Sequence, residues 1–183
     1  MDGRRHTQRL ALTPVTEDQF EDLLLVHVDP AVVPWYGEPD SEALRTQARR
    51  MGATWAGGGV HKWLARHRET GEVVGRGGCS RIVLDAEPCV EMGWAVRGPF
   101  QGQGYATEIG QASLDFAFSV LGADSVVAFT EVHNLASQAV MRRLGMIFDK
   151  QLQRPGLIEG RPGIHADAAF VVFRARPDAP PVA

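Results

Sequence analysis

Residues 97–104 read Arg97-Gly98-Pro99-Phe100-Gln101-Gly102-Gln103-Gly104, with three glycines in eight positions. The apolar run 89–96 before this stretch predicts a buried strand, and apolar residues at helical spacing after it predict a helix that Gly122 ends. A strand, a glycine-rich turn and a helix N-terminus in succession form an anion site, because free N–H groups and the helix dipole face the ligand there. The stretch therefore predicts either a pyrophosphate site or a purely structural strand-to-helix turn.

Two common phosphate-binding motifs do not fit this turn. A P-loop requires Lys followed by Ser or Thr after its last glycine, whereas Tyr105-Ala106 follows Gly104. The dinucleotide motif G-x-G-x-x-G requires Gly or Ala at the position of Thr107. Neither a nucleoside triphosphatase nor a dinucleotide-binding fold is indicated.

Composition limits the class of protein. The chain has 183 residues, 19 Lys and Arg against 22 Asp and Glu, and 44% hydrophobic residues. These values are typical of one globular domain, predicted at residues 1–176 with a disordered tail at 177–183, and they exclude collagen-like and disulfide-rich proteins. No block of basic residues indicates nucleic-acid binding. No apolar segment resembles a signal peptide or membrane span, so a cytoplasmic location without membrane partners is expected.

Cysteine and histidine usage indicates neither disulfides nor a metal site. Cys79 and Cys89 both lie in strand-like runs, which fits a reducing compartment. The six histidines have no paired ligand spacing, so no metal is predicted.

Periodicity and turn residues predict an order of β, α, α, three hairpin-linked strands, then α, β, α, β, β. A Thr16–Gln19 capping box should start the first helix, and Gly52 should end the second. The predicted helices are 17–28, a segment ending at 52, 105–122 and 135–144. The predicted strands are 9–13, 61–68, 73–82, 89–96, 125–130, 146–153 and 168–175. Residues 30–39 are predicted to be a loop.

Three segments resemble one enzyme family. The run Gln101–Ala106 resembles the Q/R-x-x-G-x-G/A acyl-CoA motif of the GCN5-related N-acetyltransferases (GNAT). The longer run 100–108, the block from Asn134 to Met146 and the opening segment 8–14 are similar to the ribosomal-protein N-terminal acetyltransferase (RimJ/RimL-like) branch. These segments occur in the family's order over residues 8–150.

The resemblance implies a mixed α+β fold and direct acetyl transfer. The expected sheet is twisted and mostly antiparallel, with six or seven strands, one parallel splayed pair and about four flanking helices. The implied reaction moves the acetyl group of acetyl-CoA to a primary amine, either a protein N-terminus or a small molecule, in a ternary complex and without a metal. Many members of the family pair as homodimers. The residues expected to bind the cofactor are Val96, Gln101, Gly102, Gln103, Gly104, Tyr105, Ala106, Asn134, Ser137 and Arg143.

The resemblance also suggests catalytic residues. Glu91 is the first candidate for the general base, although a polar partner across the sheet would explain it equally, and Glu131 and His133 are alternatives. Many members place a tyrosine acid where Met141 stands, so Ser137 becomes the candidate that protonates the departing thiolate.

Two other predictions leave alternatives open. Asn134 is a good helix N-cap whether or not it also binds the cofactor. Trp35 and Tyr36 would either line the acceptor pocket or form a hydrophobic plug. Two further functions also remain open: a non-catalytic acyl-CoA-binding domain, and an enzyme that uses another acyl group such as succinyl.

Overall fold

The structure of the protein is a computed structural model that describes residues 3–177. Within these residues the chain forms eight strands and five α-helices. The strands are β1 (Arg5–His6), β2 (Leu10–Pro14), β3 (Lys62–His67), β4 (Val73–Leu84), β5 (Glu87–Val96), β6 (Val126–Glu131), β7 (Ile147–Ile158) and β8 (Arg161–Ala175). The helices are α1 (Phe20–His27), α2 (Val33–Tyr36), α3 (Ser41–Ala56), α4 (Tyr105–Ser119) and α5 (Leu135–Arg143).

All the strands belong to one sheet with the order β1-β2-β3-β4-β5-β6-β8-β7. Every neighbouring pair is antiparallel except β5 and β6, which are parallel. The predicted mixed α+β sheet with one parallel pair is confirmed. The described residues contain one strand and one helix more than predicted, because Arg5–His6 pairs with β2 and Val33–Tyr36 is helical inside the predicted loop.

The parallel pair β5–β6 separates soon after it forms. Only Val90 with Val126 and Glu91 with Val127 are paired. Beyond these pairs β5 continues to Val96 and β6 to Glu131 without pairing to each other. This edge of β5 therefore leaves main-chain groups free to bind a ligand inside the sheet.

Helices cover both faces of the sheet. Successive side chains of a strand point to opposite faces, so Trp63 and Leu64 of β3 belong to different layers. Trp63 packs in a core with residues of α4 and α5, including Phe116 and Met141. Leu64 packs with residues of α1 and α3. The separation of β5 and β6 therefore opens between two well-packed layers.

Two predicted helix boundaries are wrong. Helix α3 continues past Gly52 to Ala56, and Gly52 instead allows close packing, since a Cβ there would lie 3.3 Å from the Cα of Thr16. The Thr16 capping box does not form either. The Thr16 hydroxyl donates to Asp18 Oδ1 instead, and a short 3₁₀ turn precedes α1.

The strands β7 and β8 are longer than predicted. They form one hairpin that extends to Ile158 and Arg161, although residues 154–167 are mostly exposed, include five Gly or Pro residues and carry little apolar alternation. The predicted tail at 177–183 lies, apart from residue 177, outside the described residues. No helix within residues 3–177 is both long and apolar enough to cross a membrane.

Candidate active site

The glycine-rich turn is an open cradle at the start of α4. Gly102 and Gly104 have φ of 73° and 85°, in the left-handed region that favours glycine, and residues 101–104 are exposed. Gly104 is the N-cap of α4, and the first intrahelical bond runs from the Glu108 N–H to the Gly104 carbonyl. The N–H groups of residues 105–107 therefore have no partner within the helix. The predicted succession of strand, turn and helix N-terminus is confirmed.

Two glutamine side chains hold the turn in shape. Gln101 Nε2 donates to the Val96 carbonyl (2.9 Å), and Gln103 Nε2 donates to the Pro99 carbonyl (2.7 Å). Because both side chains bind main-chain oxygens of the turn, the groups they leave for an anion are main-chain N–H groups.

Arg9, in the segment before β2, contacts both the glycine-rich turn and the first residues of α4. Its Nη1 donates to the Gln103 carbonyl (3.0 Å), its Nη2 lies 2.7 Å from Glu108 Oε2, and its guanidinium lies 4.1 Å from the centroid of the Tyr105 ring. Burial raises the pKa of Glu108, but hydrogen bonds from Thr7 and Arg9 outweigh burial and lower it overall. Sequence reasoning missed Arg9, although it lies in the segment that resembles the family's first strand.

A cleft of about 1030 Å³ opens between the separated strands. It brings together nearly all the predicted site residues, which come from α2, β5, the turn, α4, β6 and the start and body of α5. Those that line it are Trp35, Tyr36, Glu91, Val96, Gln101, Gly102, Gly104, Tyr105, Ala106, Glu131, Asn134, Ser137 and Arg143. Gln103 and His133 do not line the cleft. The His133 ring nevertheless stacks on Trp35 at a centroid distance of 5.5 Å.

Asn134 and Ser137 lie together at the start of α5. The N-cap prediction for Asn134 is confirmed, because its Oδ1 accepts a hydrogen bond from the Ser137 N–H (3.1 Å). The half-buried Ser137 hydroxyl has no hydrogen-bond partner within the described residues. Met141 is buried in the core and contributes no polar group to the cleft.

Glu91 belongs to a compact polar cluster on the sheet. Its Oε2 accepts hydrogen bonds from Lys62 Nζ (2.6 Å) and Ser80 Oγ (2.8 Å), and Lys62 Nζ also donates to the Gly78 carbonyl (2.9 Å). These are cross-strand contacts, so a structural role accounts for Glu91 and its action as a base stays a prediction. Lys62 was missed because its contact depends on the register of β3 on β4.

Three further polar side chains lie on the face of the sheet that α1 and α2 cover. Arg76 Nε donates to His27 Nε2 (3.0 Å), and the Arg76 guanidinium lies 4.7 Å from the centroid of the Tyr36 ring. The Tyr36 hydroxyl donates to the Trp94 carbonyl (3.3 Å). Burial, with a smaller effect of Arg76, lowers the pKa of His27 to about 4, so His27 is neutral at pH 7 and can accept that bond. Sequence reasoning missed both His27 and Arg76.

Residues 9–147 match the family model described as the acetyltransferase (GNAT) domain. The chain belongs to the GNAT acetyltransferase family. This result agrees with the anion cradle and the separated parallel strands. GNAT acetyltransferases use acetyl-CoA, so the chain is an acetyltransferase of this class. Within the described part of the chain, no three His, Cys, Asp or Glu side chains are grouped as metal ligands.

Known relatives of this GNAT acetyltransferase span most of its length. It is 30% identical over 171 residues to FsC-acetyl coenzyme A-N(2)-transacetylase of Aspergillus fumigatus, covering 85% of this chain and 72% of the relative. It is 28% identical over 150 residues to the protein YkkB of Bacillus subtilis, covering 81% and 87%. The solved ribosomal-protein-S5-alanine acetyltransferase of Vibrio fischeri superposes with a TM-score of 0.77 at 14% identity, covering 98% and 100%. That likeness establishes the fold alone.

Proposed function

We propose that this enzyme transfers the acetyl group of acetyl-CoA directly to a primary amine bound on the α1–α2 face of the sheet. The observation that carries the proposal is the separation of β5 from β6, with the glycine-rich cradle at the end of β5 and a cleft running through the gap. The cofactor supplies an acyl group activated as a thioester. The protein supplies binding, orientation and proton transfer.

The residues in the cleft fit the cofactor. The turn offers unpaired N–H groups at residues 105–107 for a pyrophosphate, in a backbone shape that leaves the space above Gly102 open. The edge of β5 that faces the gap can pair with the amides of a pantetheine arm up to Val96, and the Trp94 and Val96 carbonyls on this strand each already accept one side-chain hydrogen bond. Asn134 and Arg143 are proposed to contact the same arm and a phosphate, since both line the cleft.

Deprotonation of the amine needs a base when the acceptor resembles lysine. With a pKa near 10.4, only about one part in a few thousand of such an amine is neutral at pH 7, whereas an α-amine near 8 needs less help. Glu91 stays the first prediction, but its Oε2 already accepts two hydrogen bonds. Glu131 is 8% exposed and has no basic side chain within ion-pair distance in residues 3–177. Glu131 also accepts two hydrogen bonds, but both are long at 3.4 Å and neither comes from a charged group, which favours Glu131 as the proton acceptor.

The proposed transfer balances as follows. An ammonium group loses one proton to a Glu131 oxygen, and the freed amine nitrogen bonds to the acyl carbon as the carbon–sulfur bond breaks. The second nitrogen proton ends on the departing sulfur, relayed through the Ser137 hydroxyl, which has no other partner among the described residues.

Two similarities to known proteins favour two different classes of acceptor amine. Likeness to the RimJ/RimL-like branch favours a protein N-terminus, and a homodimer is proposed on the same ground. The 30% identity to a coenzyme A-dependent N(2)-transacetylase favours a small molecule. A reducing, cytoplasmic location is proposed because Cys79 and Cys89 are free thiols.

Calorimetric titration with CoA, followed by thiol release with an amine panel, tests the proposal. We expect binding and turnover, with kcat reduced roughly 10²- to 10⁴-fold in E131Q if Glu131 is the base and in E91Q if Glu91 is. E87Q changes an exposed carboxylate of β5 outside the cleft and serves as control. No CoA binding at millimolar ligand would refute the proposal. Binding without turnover would indicate a binding domain, and product masses from mixed acyl-CoAs would reveal succinyl transfer.

A further inference from the structure

Two buried charges in the cleft lack an oppositely charged partner. Arg76 is 6% exposed and Glu131 is 8% exposed, and both line the cleft. Within residues 3–177, no acidic side chain lies within ion-pair distance of Arg76, whose Nη groups donate no hydrogen bond. Glu131 accepts only long bonds, from the Leu157 N–H and the Thr130 hydroxyl, both at 3.4 Å. Buried charges are ordinarily paired, so this arrangement leaves two charges for a ligand to match.

The sheet register places these two side chains opposite each other. Arg76 pairs with Ala95, and the parallel register of Glu91 with Val127 brings Glu131 to the level of Ala95 four residues later. Because side chains alternate along strands, the side chains of Arg76, Ala95 and Glu131 point to the same face of the sheet. Arg76 and Glu131 therefore lie on either side of β5. Two strand spacings put their Cα atoms about 10 Å apart, and the separation of β5 from β6 adds to that distance. The small Ala95 side chain lies between them.

The remaining charges of the cleft indicate which anion would fit. Lys62 is neutralised by Glu91 at 2.6 Å. Arg154 stacks on Phe129, with its guanidinium 4.3 Å from the ring centroid, and has no acidic partner within the described residues. Arg143, which is proposed to contact a cofactor phosphate, also lines the cleft. Apart from it, two arginines and one glutamate of the cleft have no oppositely charged partner within residues 3–177. A carboxylate matches the planar fork of Arg76, and an ammonium group matches the unpaired Glu131.

We propose that the acceptor is a zwitterion, a primary amine that also carries a carboxylate, with the carboxylate on Arg76 and the ammonium group on Glu131. This inference rests on the proposed acetyl transfer and specifies its substrate class. His27 orients Arg76 by accepting its Nε–H bond, which leaves the two Nη groups for the carboxylate. The acceptor lies across Ala95, with its nitrogen on the β6 side of the gap.

Matched pairs of acceptors test the carboxylate site. Amino acids with aromatic, aliphatic and long polar side chains are compared with their own carboxamides at saturating acetyl-CoA. We expect kcat/KM to favour the acids by about 10- to 100-fold, the size of a buried charge-assisted contact. Since the amide has the more easily deprotonated amine, basicity cannot produce that preference.

Substitutions of Arg76 assign the preference to one residue. In R76Q the ratio of acid to amide should fall to within about threefold of one, and in R76K it should lie in between, because lysine keeps the charge but not the fork. R81Q removes an exposed arginine from the same strand outside the cleft and should keep the wild-type ratio. A rise in the KM of acetyl-CoA in R76Q with an unchanged ratio would assign Arg76 to a cofactor phosphate and overturn the inference.

Binding without turnover separates this inference from the proposed function. Calorimetry of the CoA-bound protein with N-acetyl amino acids and with their amides should show the acids binding at least tenfold more tightly. Selective binding of the acids without acetylation of any amine would refute the proposed function and leave the carboxylate site standing. Equal use of acids and amides, or no binding of any acid at 10 mM (roughly ten thousand times the Kd of a micromolar site), would refute the carboxylate site while leaving acetyl transfer intact.

Discussion

Replacing Gly102 by alanine tests whether the backbone shape of the cradle binds the cofactor. Gly102 has φ of 73°, and a Cβ built there meets nothing within 4 Å, so G102A adds backbone strain without a clash. An alanine in the left-handed region costs about 1–2 kcal/mol. The turn is exposed and can relax in the free protein, but bound cofactor requires the original shape. The free-energy cost of G102A should therefore appear partly as lower folding stability and partly as weaker CoA binding, with a sum of about 1–2 kcal/mol.

The assay combines thermal unfolding with calorimetric titration of CoA. If the turn relaxes fully, the Kd for CoA should rise about 5- to 30-fold with an unchanged Tm. The control is G122A, three residues after the last residue of α4, where φ is 61° and the space is equally open. There the whole cost should lower the Tm, by about 2–8 °C, with an unchanged Kd. A summed cost in G102A below about 0.5 kcal/mol, well under the expected 1–2 kcal/mol, would refute the reasoning.

Three other predictions follow from the contacts. R9Q removes the bond to the Gln103 carbonyl and should raise the KM of acetyl-CoA about tenfold in steady-state kinetics; an unchanged KM would exclude Arg9 as an anchor. Burial raises the pKa of Cys79 to about 12, so an aromatic disulfide reagent should modify only Cys89 in the native protein and both thiols after denaturation. The pKa of His27 is lowered from 6.5 to about 4 in the folded protein. As the pH falls from 6.5 to 4, the unfolded state therefore binds a proton on His27 that the folded state does not, and folding stability should decrease. H27Q should weaken this dependence in Tm measurements at pH 4–7, and an identical profile would contradict it.

Local chain signals predicted the elements around the cradle well. The glycine-rich turn, the Asn134 cap and strand β5 each depend on residues within a few positions, so single-sequence patterns contain them. The same reasoning failed at Gly52, which stays helical because α3 packs closely on Thr16. A glycine that permits close packing and a glycine that ends a helix look alike in sequence.

The amino-acid sequence by itself determined the family, the glycine-rich cradle and thirteen of the residues that line the cleft. Only the tertiary structure decided which charged side chains of the cleft are paired. Lys62 reaches Glu91 through strand register, whereas Arg76 and Glu131 are left unpaired on either side of β5. Register depends on which strands pair across long loops and on where β5 and β6 separate, and neither is encoded in a local pattern. The proposed substrate class therefore rests on the assembled sheet.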